Sequence, residues 1–530
     1  MKSSYDVIVV GGGHNGLVCA AYLARAGRSV LVLERRDVAG GILAAPELMP
    51  GAPAPGPVNS VGRLDARIAK DLWLDTHGVK LVKSQARLTS MAGGGRALTL
   101  WADPTRTAAD LRLVVRDGAA YARLDNDLRA MARFAARIAA APPPDVVKLR
   151  ASDLRTAMGL FRGYRGMGSR LAHDFLRVLP MPVGDVVADY IDDDQLRAAI
   201  AWRAVRYTSL APSDAGSAQV LLADMAGGDG GVAGEMSVCL GGPAVLAQGL
   251  AKVAQSRGAQ IRTNAEVASI TIADGRVSGV VLASGEEIGA RRVVSGLDPR
   301  RTMLTLLDPM DLGPTLGWEA ANLRQHGGTS AVLVALRDLP AFGGMSEGEA
   351  AERLSGRILF GQSINVLDRA GDAIKGGRLP ETLVLEAVIP TLLDALLVPG
   401  NGVGHLMSVL VHGTPYRLRD GDWDAGREAL GDRVVAQLEA HAPGFAANVV
   451  ARRVLTPLDL ERDYGLTEGH PLHAEPALDQ WFAWRPLLGA ARYRSPVADG
   501  LFLCGSGAHP GGGVTGMPGY LAAREVIATK

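Results

Sequence analysis

Residues 6–35, DVIVVGGGHNGLVCAAYLARAGRSVLVLER, decide the fold. From Tyr5 to Val10 the chain is a short, β-branched apolar run, as a buried parallel strand requires. Gly11, Gly13 and Gly16 then give the spacing G-x-G-x-x-G. The first glycine serves a tight turn, the second lets backbone approach a pyrophosphate, and the third lets a helix pack closely on the strand. An Ala/Leu-rich helix is predicted over residues 14–26, closed by Gly27, with its N-terminal amides free for a diphosphate. A second strand is predicted over residues 29–33. Glu34 lies at its end, 18 residues after Gly16, close to the ~20 expected of a ribose-binding acid. A carboxylate there accepts hydrogen bonds from ribose hydroxyls and repels a 2′-phosphate, which disfavours NADP.

The remaining bounds are broad. At ~100–200 residues per domain, 530 residues make two to four structural units. Hydrophobic residues are 48% and charged residues 21%, enough for a sizeable core, and the formal charge of +1 gives no reason to expect nucleic acid. Cys19, Cys239 and Cys504 form no C-x-x-C, so no dithiol motif, disulfide framework or metal site is expected, and they read as small buried hydrophobes. The apolar region 382–399 contains Glu386, Asp394 and two prolines and is not a membrane span. No cleavage site follows the N-terminal apolar run. The expectation is a cytoplasmic protein, at most peripheral to a membrane.

Farther along, Gly40 and Gly41 suggest another close approach of backbone to ligand. Residues 46–57 read as a Pro/Gly-rich loop. Residues 121–140, 153–181 and 192–203 read as mostly helical, and the glycine-dense stretch 227–234 as a linker. After it come a helix over 243–257, a strand over 260–263, a hairpin of 266–272 and 276–282 turning at ADG, and a strand over 292–295. Near the other end, a strand over 501–504, a glycine-rich turn and an Ala-rich helix make a nest for an anion or dipole. No second G-x-G-x-x-G follows a strand, so both ends of the chain are expected to grip one long ligand.

VVGGGHNGL, ERRDVAGG, GGPAVLAQGLAKVAQSRGAQIRTNAEVASI and GLFLCGSGAHPGGGVTGMPG together resemble the phytoene desaturase-related flavoproteins. The nearest branch is that of pyridine nucleotide-disulfide oxidoreductase domain-containing protein 2, whose approach to the last motif is similar to residues 470–503 here. The redox cysteine pair that this name evokes is absent. The resemblance implies an α/β fold of the amine oxidase and phytoene desaturase type. A discontinuous Rossmann-like FAD domain (residues 1–75, 235–300 and 491–530) would carry an interleaved α+β substrate domain (76–234 and 301–490). FAD would lie on Gly11, Gly13, His14, Asn15 and Gly16, with Glu34 at its ribose and Arg35 also among the cofactor-binding residues. Gly40 and Gly41 would line its path, Val267 would meet adenine, and the isoalloxazine would rest on Gly505, Gly512, Gly513 and Val514.

The flavin performs the electron transfer while the protein supplies orientation and electrostatics. His509, His473 and Arg485 fall in the family's pattern and are the candidate catalytic residues. Each has a second reading. His509 stabilises the turn at Pro510, and Arg485 either binds an anionic substrate or braces its loop. His470 reads as a solvated loop residue, and His405 and His412 as core or edge histidines. With no second nucleotide site, the flavin is expected to take hydride from an organic substrate and to be reoxidised by oxygen or a quinone. Three functions stay open. One is a dehydrogenase or desaturase of a largely apolar, isoprenoid- or polyene-like small molecule. Another is an oxidase of an amine or other small substrate, with Tyr493, Trp481 and Trp484 as an aromatic cage. The third is a flavin-free carrier of prenylated partners. The oligomeric state is not specified.

Overall fold

The computed structural model describes residues 4–529 apart from 45, 46, 50, 51, 54, 59, 147, 148, 228–235, 344, 346 and 399. The linker expected at 227–234 therefore lies almost wholly outside the described residues, as does part of the loop at 46–57.

The opening unit folds as β1 (Val7–Val10), α1 (His14–Arg25) and β2 (Val30–Leu33). Every residue of both strands is buried, as expected of strands covered on both faces. Tyr5 departs from the expected strand. It pairs with Ala290 in a separate four-stranded sheet, because Asp6 turns its carboxylate to the Ser29 backbone N–H and hydroxyl. Next come a hairpin, β3 (Ala86–Met91) and β4 (Ala97–Trp101), and the helices α2 (Gly118–Ala140), α3 (Ala151–Arg165), α4 (Asp194–Val205) and α5 (Ser217–Ala226). The nucleotide-type pattern then resumes with α6 (Pro243–Ser256), β5 (Gln260–Arg262), the hairpin β6 (Val267–Ala273) and β7 (Arg276–Leu282), and β8 (Val293–Ser295). The hairpin turns at Asp274 and Gly275 with φ of 50° and 70°, the left-handed pair that a two-residue type I′ turn demands. Five more strands follow, β9 (Thr329–Leu336), β10 (Arg357–Phe360), β11 (Val384–Val388), β12 (His405–His412) and β13 (Val449–Leu455). The chain ends with β14 (Leu501–Leu503) and α7 (Met517–Ala528).

Two sheets organise the molecule. The five-stranded sheet, in the order β5-β2-β1-β8-β14, is parallel throughout and draws its strands from three stretches of chain. Helix α1 packs between α6 and α7 over it. The seven-stranded sheet runs β13-β9-β12-β11-β10-β3-β4. All its pairings are antiparallel except β10 with β3, where the early hairpin docks onto strands that come over 250 residues later. The helices between β4 and α6 pack on one another and close over this second sheet, with Trp202, Ile191 and Phe175 in their core. Among the described residues no helix is long and apolar enough to cross a membrane.

Candidate functional site

The glycine turn forms the floor of a cleft enclosing about 940 Å³ of space open to solvent. Gly11 holds φ at 93° and donates its N–H to Leu33 O at 2.8 Å, which ties the end of β1 to β2. At Gly16 a Cβ would stand 2.2 Å from Gly11 O, so only glycine lets α1 lie this close to the turn. At Gly13 a Cβ would meet nothing within 4 Å. Its missing side chain leaves open space above an α1 N-terminus that no side chain caps. Glu34 is buried at the opposite side of the turn. Its carboxylate accepts from Gly12 N–H at 2.8 Å and Arg36 N–H at 3.0 Å, leaving lone pairs toward the cleft it lines. Val267 and Arg35 line the same cleft, Arg35 donating to Arg462 O at 2.9 Å. Gly40 approaches protein, its N–H bonding Gly12 O at 2.8 Å, whereas Gly41 lines the cleft, and a Cβ on it would stand 3.1 Å from Gly13 Cα.

These features meet the demands of a dinucleotide. Three polar atoms, His14 Nε2, Asn15 Oδ1 and His473 Nδ1, are buried without a hydrogen-bond partner, and all three side chains line the cleft. A buried polar atom left unbonded costs about 1–3 kcal/mol, and a ligand bearing donors and acceptors relieves it. The two chain ends meet here, where Asn15 Nδ2 donates to Ser506 Oγ at 3.1 Å. Several lining residues carried no recognisable signal in the sequence: Leu297, Arg301 and residues 464–466. They come from loops whose approach is set by sheet order, not by local spacing.

The C-terminal motif is placed differently from its glycine pattern. A Cβ on Gly505 would stand 2.5 Å from Leu297 O, one on Gly512 2.7 Å from Leu472, and one on Gly513 2.4 Å from the Arg63 guanidinium. These glycines therefore make room for protein neighbours. Val514 is buried with φ at 56°, a strained region for a β-branched residue. Beside them, Gly511, Gly512, Thr515 and Met517 line a second cavity of about 1180 Å³ with Arg63, Trp481 and the α2 residues Arg133 and Arg137. Arg63 bridges it, donating to Ala223 O at 2.9 Å and Gly512 O at 3.3 Å. A third, largely apolar cavity of about 510 Å³ lies among the helices and the early hairpin. Its walls include Leu88, Leu100, Leu124, Leu128, Ile200, Leu221 and Met225, together with Arg87, Tyr121, Asp125, Arg203 and Arg357.

Of the candidate catalytic residues, only His473 reaches the nucleotide cleft. His509 is fully buried; its Nε2 lies 3.1 Å from Ile138 O at the end of α2, and its ring packs against Phe482. Arg485 is buried among carbonyls. Its two terminal nitrogens donate to Glu475 O and Gln480 O, and to Leu472 O, Ala474 O and Ser506 O, at 2.9–3.3 Å. That leaves an anionic substrate only Nε, which faces Gly511. Burial holds the Arg485 guanidinium down to about 10. His470 is not solvated, contrary to expectation: it is buried, with Nε2 3.4 Å from Glu475 and Nδ1 accepting from Leu472 N–H. The expected aromatic cage does not assemble. Tyr493 is sealed in the core of the parallel-sheet unit and Trp484 is 55% exposed, so Trp481 alone faces a cavity.

Burial keeps the imidazoles of the region neutral. His14 and His473 are each held down to about 4, first by burial, with His473 also opposing a charge on His14, and burial holds His509 down to about 3. All three cysteines are free and buried. Cys19 and Cys504, distant in sequence, are hydrogen-bonding neighbours, and that contact together with burial pushes the Cys19 thiol well above its usual range.

Residues 9–59 match the model of NAD(P)-binding Rossmann-like domains, and residues 148–527 match that of flavin containing amine oxidoreductases. Among relatives, pyridine nucleotide-disulfide oxidoreductase domain-containing protein 2 of Rattus norvegicus is 34% identical, covering 99% of this chain and 94% of its own. Phytoene desaturase (lycopene-forming) of Pantoea ananas is 25% identical over 96% of each chain. A solved structure of a putrescine oxidase triple mutant has the same fold, with a TM-score of 0.62 at 16% identity over 99% of this chain and 98% of its own.

Proposed function

Because the chain belongs to the flavin-containing amine oxidoreductase family, with FAD as its cofactor, we propose that it is a dehydrogenase or desaturase of a largely apolar small molecule. When bound, FAD supplies a hydride acceptor at N5 of its isoalloxazine ring. The chain's own residues hold it. The free amides at the start of α1 and the open space over Gly13 take the diphosphate. Glu34 accepts from the adenosine ribose, Val267 and Arg35 flank the adenine end, and His14, Asn15 and His473 satisfy their unbonded atoms on the cofactor. The neutral imidazoles of His14 and His473 serve as hydrogen-bond partners. His509 and Arg485 act as positioning residues. The first ties the C-terminal motif to α2, and the second gathers the carbonyls of the loop that bears His473.

The observation that carries the substrate reading is the hollow of about 510 Å³, open solvent included, walled by leucines, Ile200 and Met225, where Arg87, Arg203 and Arg357 also reach the wall and the lining carboxylate, Asp125, is already paired with Arg87 and Arg129, in the part of the molecule that the nucleotide cleft does not use. Such walls favour hydrocarbon and give little to a small cation. The cage residues that would favour an amine are dispersed. Only one G-x-G-x-x-G directly follows a strand, the second (Gly511, Gly513 and Gly516) lying eight residues past the end of β14, so in this reading the organic substrate reduces the flavin, and oxygen or a quinone reoxidises it. A substrate of this chemistry dissolves in bilayers, which makes peripheral membrane contact part of the same reading. The test is anaerobic photometry of the FAD-loaded protein against isoprenoid lipids, polyenes and amines. Bleaching by an isoprenoid or polyene supports the proposal. Bleaching by amines alone, with peroxide released on readmitting air, overturns it, as does bleaching by NADH at the turnover rate.

A further inference from the structure

Helix α3 departs from the pattern of a helix packed on a core. Its inner side, with Asp153 and Gly163 buried, rests on α2, where a Cβ on Gly163 would meet Arg137 and Phe134. Its outer side should then be polar. Instead Leu154, Met158 and Phe161, spaced i, i+4 and i+7 along one stripe, are 66%, 47% and 58% exposed, and Leu149 just before the helix is 76% exposed. Arg155, Arg162 and Arg165 are exposed on the same outer side, and the Arg165 guanidinium lies 6.0 Å from the Phe161 ring. None of the three arginines makes an ion pair among the described residues. The only carboxylate of the helix, Asp153, is buried and committed to Arg492 and to Arg150 N–H. The outer side is thus an apolar stripe bordered by uncompensated cations.

We propose that α3 is an interfacial anchor that lies in the plane of an anionic bilayer, with Leu154, Met158 and Phe161 among the acyl chains and Arg155, Arg162 and Arg165 at the headgroups. An amphipathic helix with an arginine-rich polar border binds in this way. Each arginine near such a surface is worth roughly fivefold in partition. Charge complementarity selects this occupant over a second copy of the chain, because a symmetric contact of the stripe with itself would bring like arginines together. The anchor stands on the exposed side chains, and its purpose rests on the apolar-substrate reading. Its neighbour α2 supplies Leu124 and Leu128 to the wall of the apolar hollow assigned to the substrate, so the anchor would hold that hollow close to lipid-dissolved substrate.

The test is cosedimentation of the FAD-loaded full chain with phosphatidylcholine vesicles containing about 30% phosphatidylserine, beside pure phosphatidylcholine vesicles. Sedimentation with the anionic vesicles should fall about tenfold or more on pure phosphatidylcholine, and similarly when salt is raised from about 0.1 M to about 0.5 M. The double variant Leu154→Glu with Phe161→Glu should lose binding while its melting temperature and flavin absorbance match those of the parent. Absence of wild-type binding to the anionic vesicles overturns the proposal, as does vesicle binding by a folded double variant equal to wild type. A wild-type dimer that the double variant dissolves, seen by sedimentation velocity, also overturns it and assigns the stripe to self-association. The photometric assay in detergent reports on the substrate independently, so either idea can fail without the other.

Discussion

Two alanine substitutions three residues apart separate packing from cofactor binding on the same glycine turn. At Gly16 the new Cβ would come within 2.2 Å of Gly11 O, a backbone atom that cannot swing away. Restoring a normal contact requires α1 to back off β1 by roughly 1 Å, an overpacking strain worth about 3 kcal/mol. For a cooperative unit of about 150–250 residues that is a fall in melting temperature of roughly 6–12 °C. At Gly13 the Cβ would meet nothing within 4 Å, and φ and ψ of −67° and 168° suit alanine. The apoprotein should then gain about 0.4–1 kcal/mol from the stiffer unfolded chain. Its methyl group would, however, fill the cradle over the helix N-terminus, and FAD affinity should drop at least about tenfold, or about 1.4 kcal/mol. Differential scanning fluorimetry of the apoproteins and flavin-fluorescence titration measure the two effects. A Gly13→Ala protein that binds FAD as tightly as wild type would refute the placement of the diphosphate. Equal loss of stability in both variants would refute the packing argument.

Other consequences are direct. Glu34→Ala leaves the Gly12 and Arg36 N–H groups without their acceptor, so it should cost about 1–3 kcal/mol in stability and weaken FAD binding, while Glu34→Gln keeps one acceptor and loses less of each by melting and titration. Arg485→Lys cannot span the five carbonyls around Arg485 and should destabilise by about 3 kcal/mol or more, without creating the selective rise in KM that loss of an anion-binding residue would give. His14, His473 and His412 are held near 4 and His509 near 3. These lowered values mean that the unfolded chain takes up protons that the folded one refuses. Stability is therefore full above the unfolded value of about 6.5 and falls below it, each histidine contributing up to about 1.4 kcal/mol per pH unit down to about 4. Urea melts at pH 7.5, 6 and 5, roughly, should show this steepening, and a flat profile would contradict neutral burial.

How much was legible in advance varied with the range of the interaction. The β1–α1–β2 unit, the hairpin over Asp274 and Gly275, and α2 were legible because backbone hydrogen bonds, turn chemistry and side-chain periodicity act within a few residues. The third glycine's role was legible for the same reason, since Gly16 meets Gly11 five positions away. The packing of the C-terminal glycines was not: a Cβ on Gly505, Gly512 or Gly513 would meet Leu297, Leu472 or Arg63, which arrive from distant segments, while the backbone of Gly512 also lines the second cavity. His470 read as solvated because its neighbours are polar. The fold buries it against Glu475.

The sequence by itself determined the nucleotide unit and the place of Glu34 at the end of its second strand, because those follow from glycine geometry, helix periodicity and the strand pattern. Tertiary structure decided the rest. It brought Asn15 to Ser506 and Cys19 to Cys504, committed Arg485 to its loop, dispersed the aromatic residues that had suggested a cage, and left the apolar stripe of α3 uncovered. Each of these depends on which faces meet after strands from three stretches of chain enter one parallel sheet. Burial and charge compensation are properties of that assembly, which local spacing does not encode.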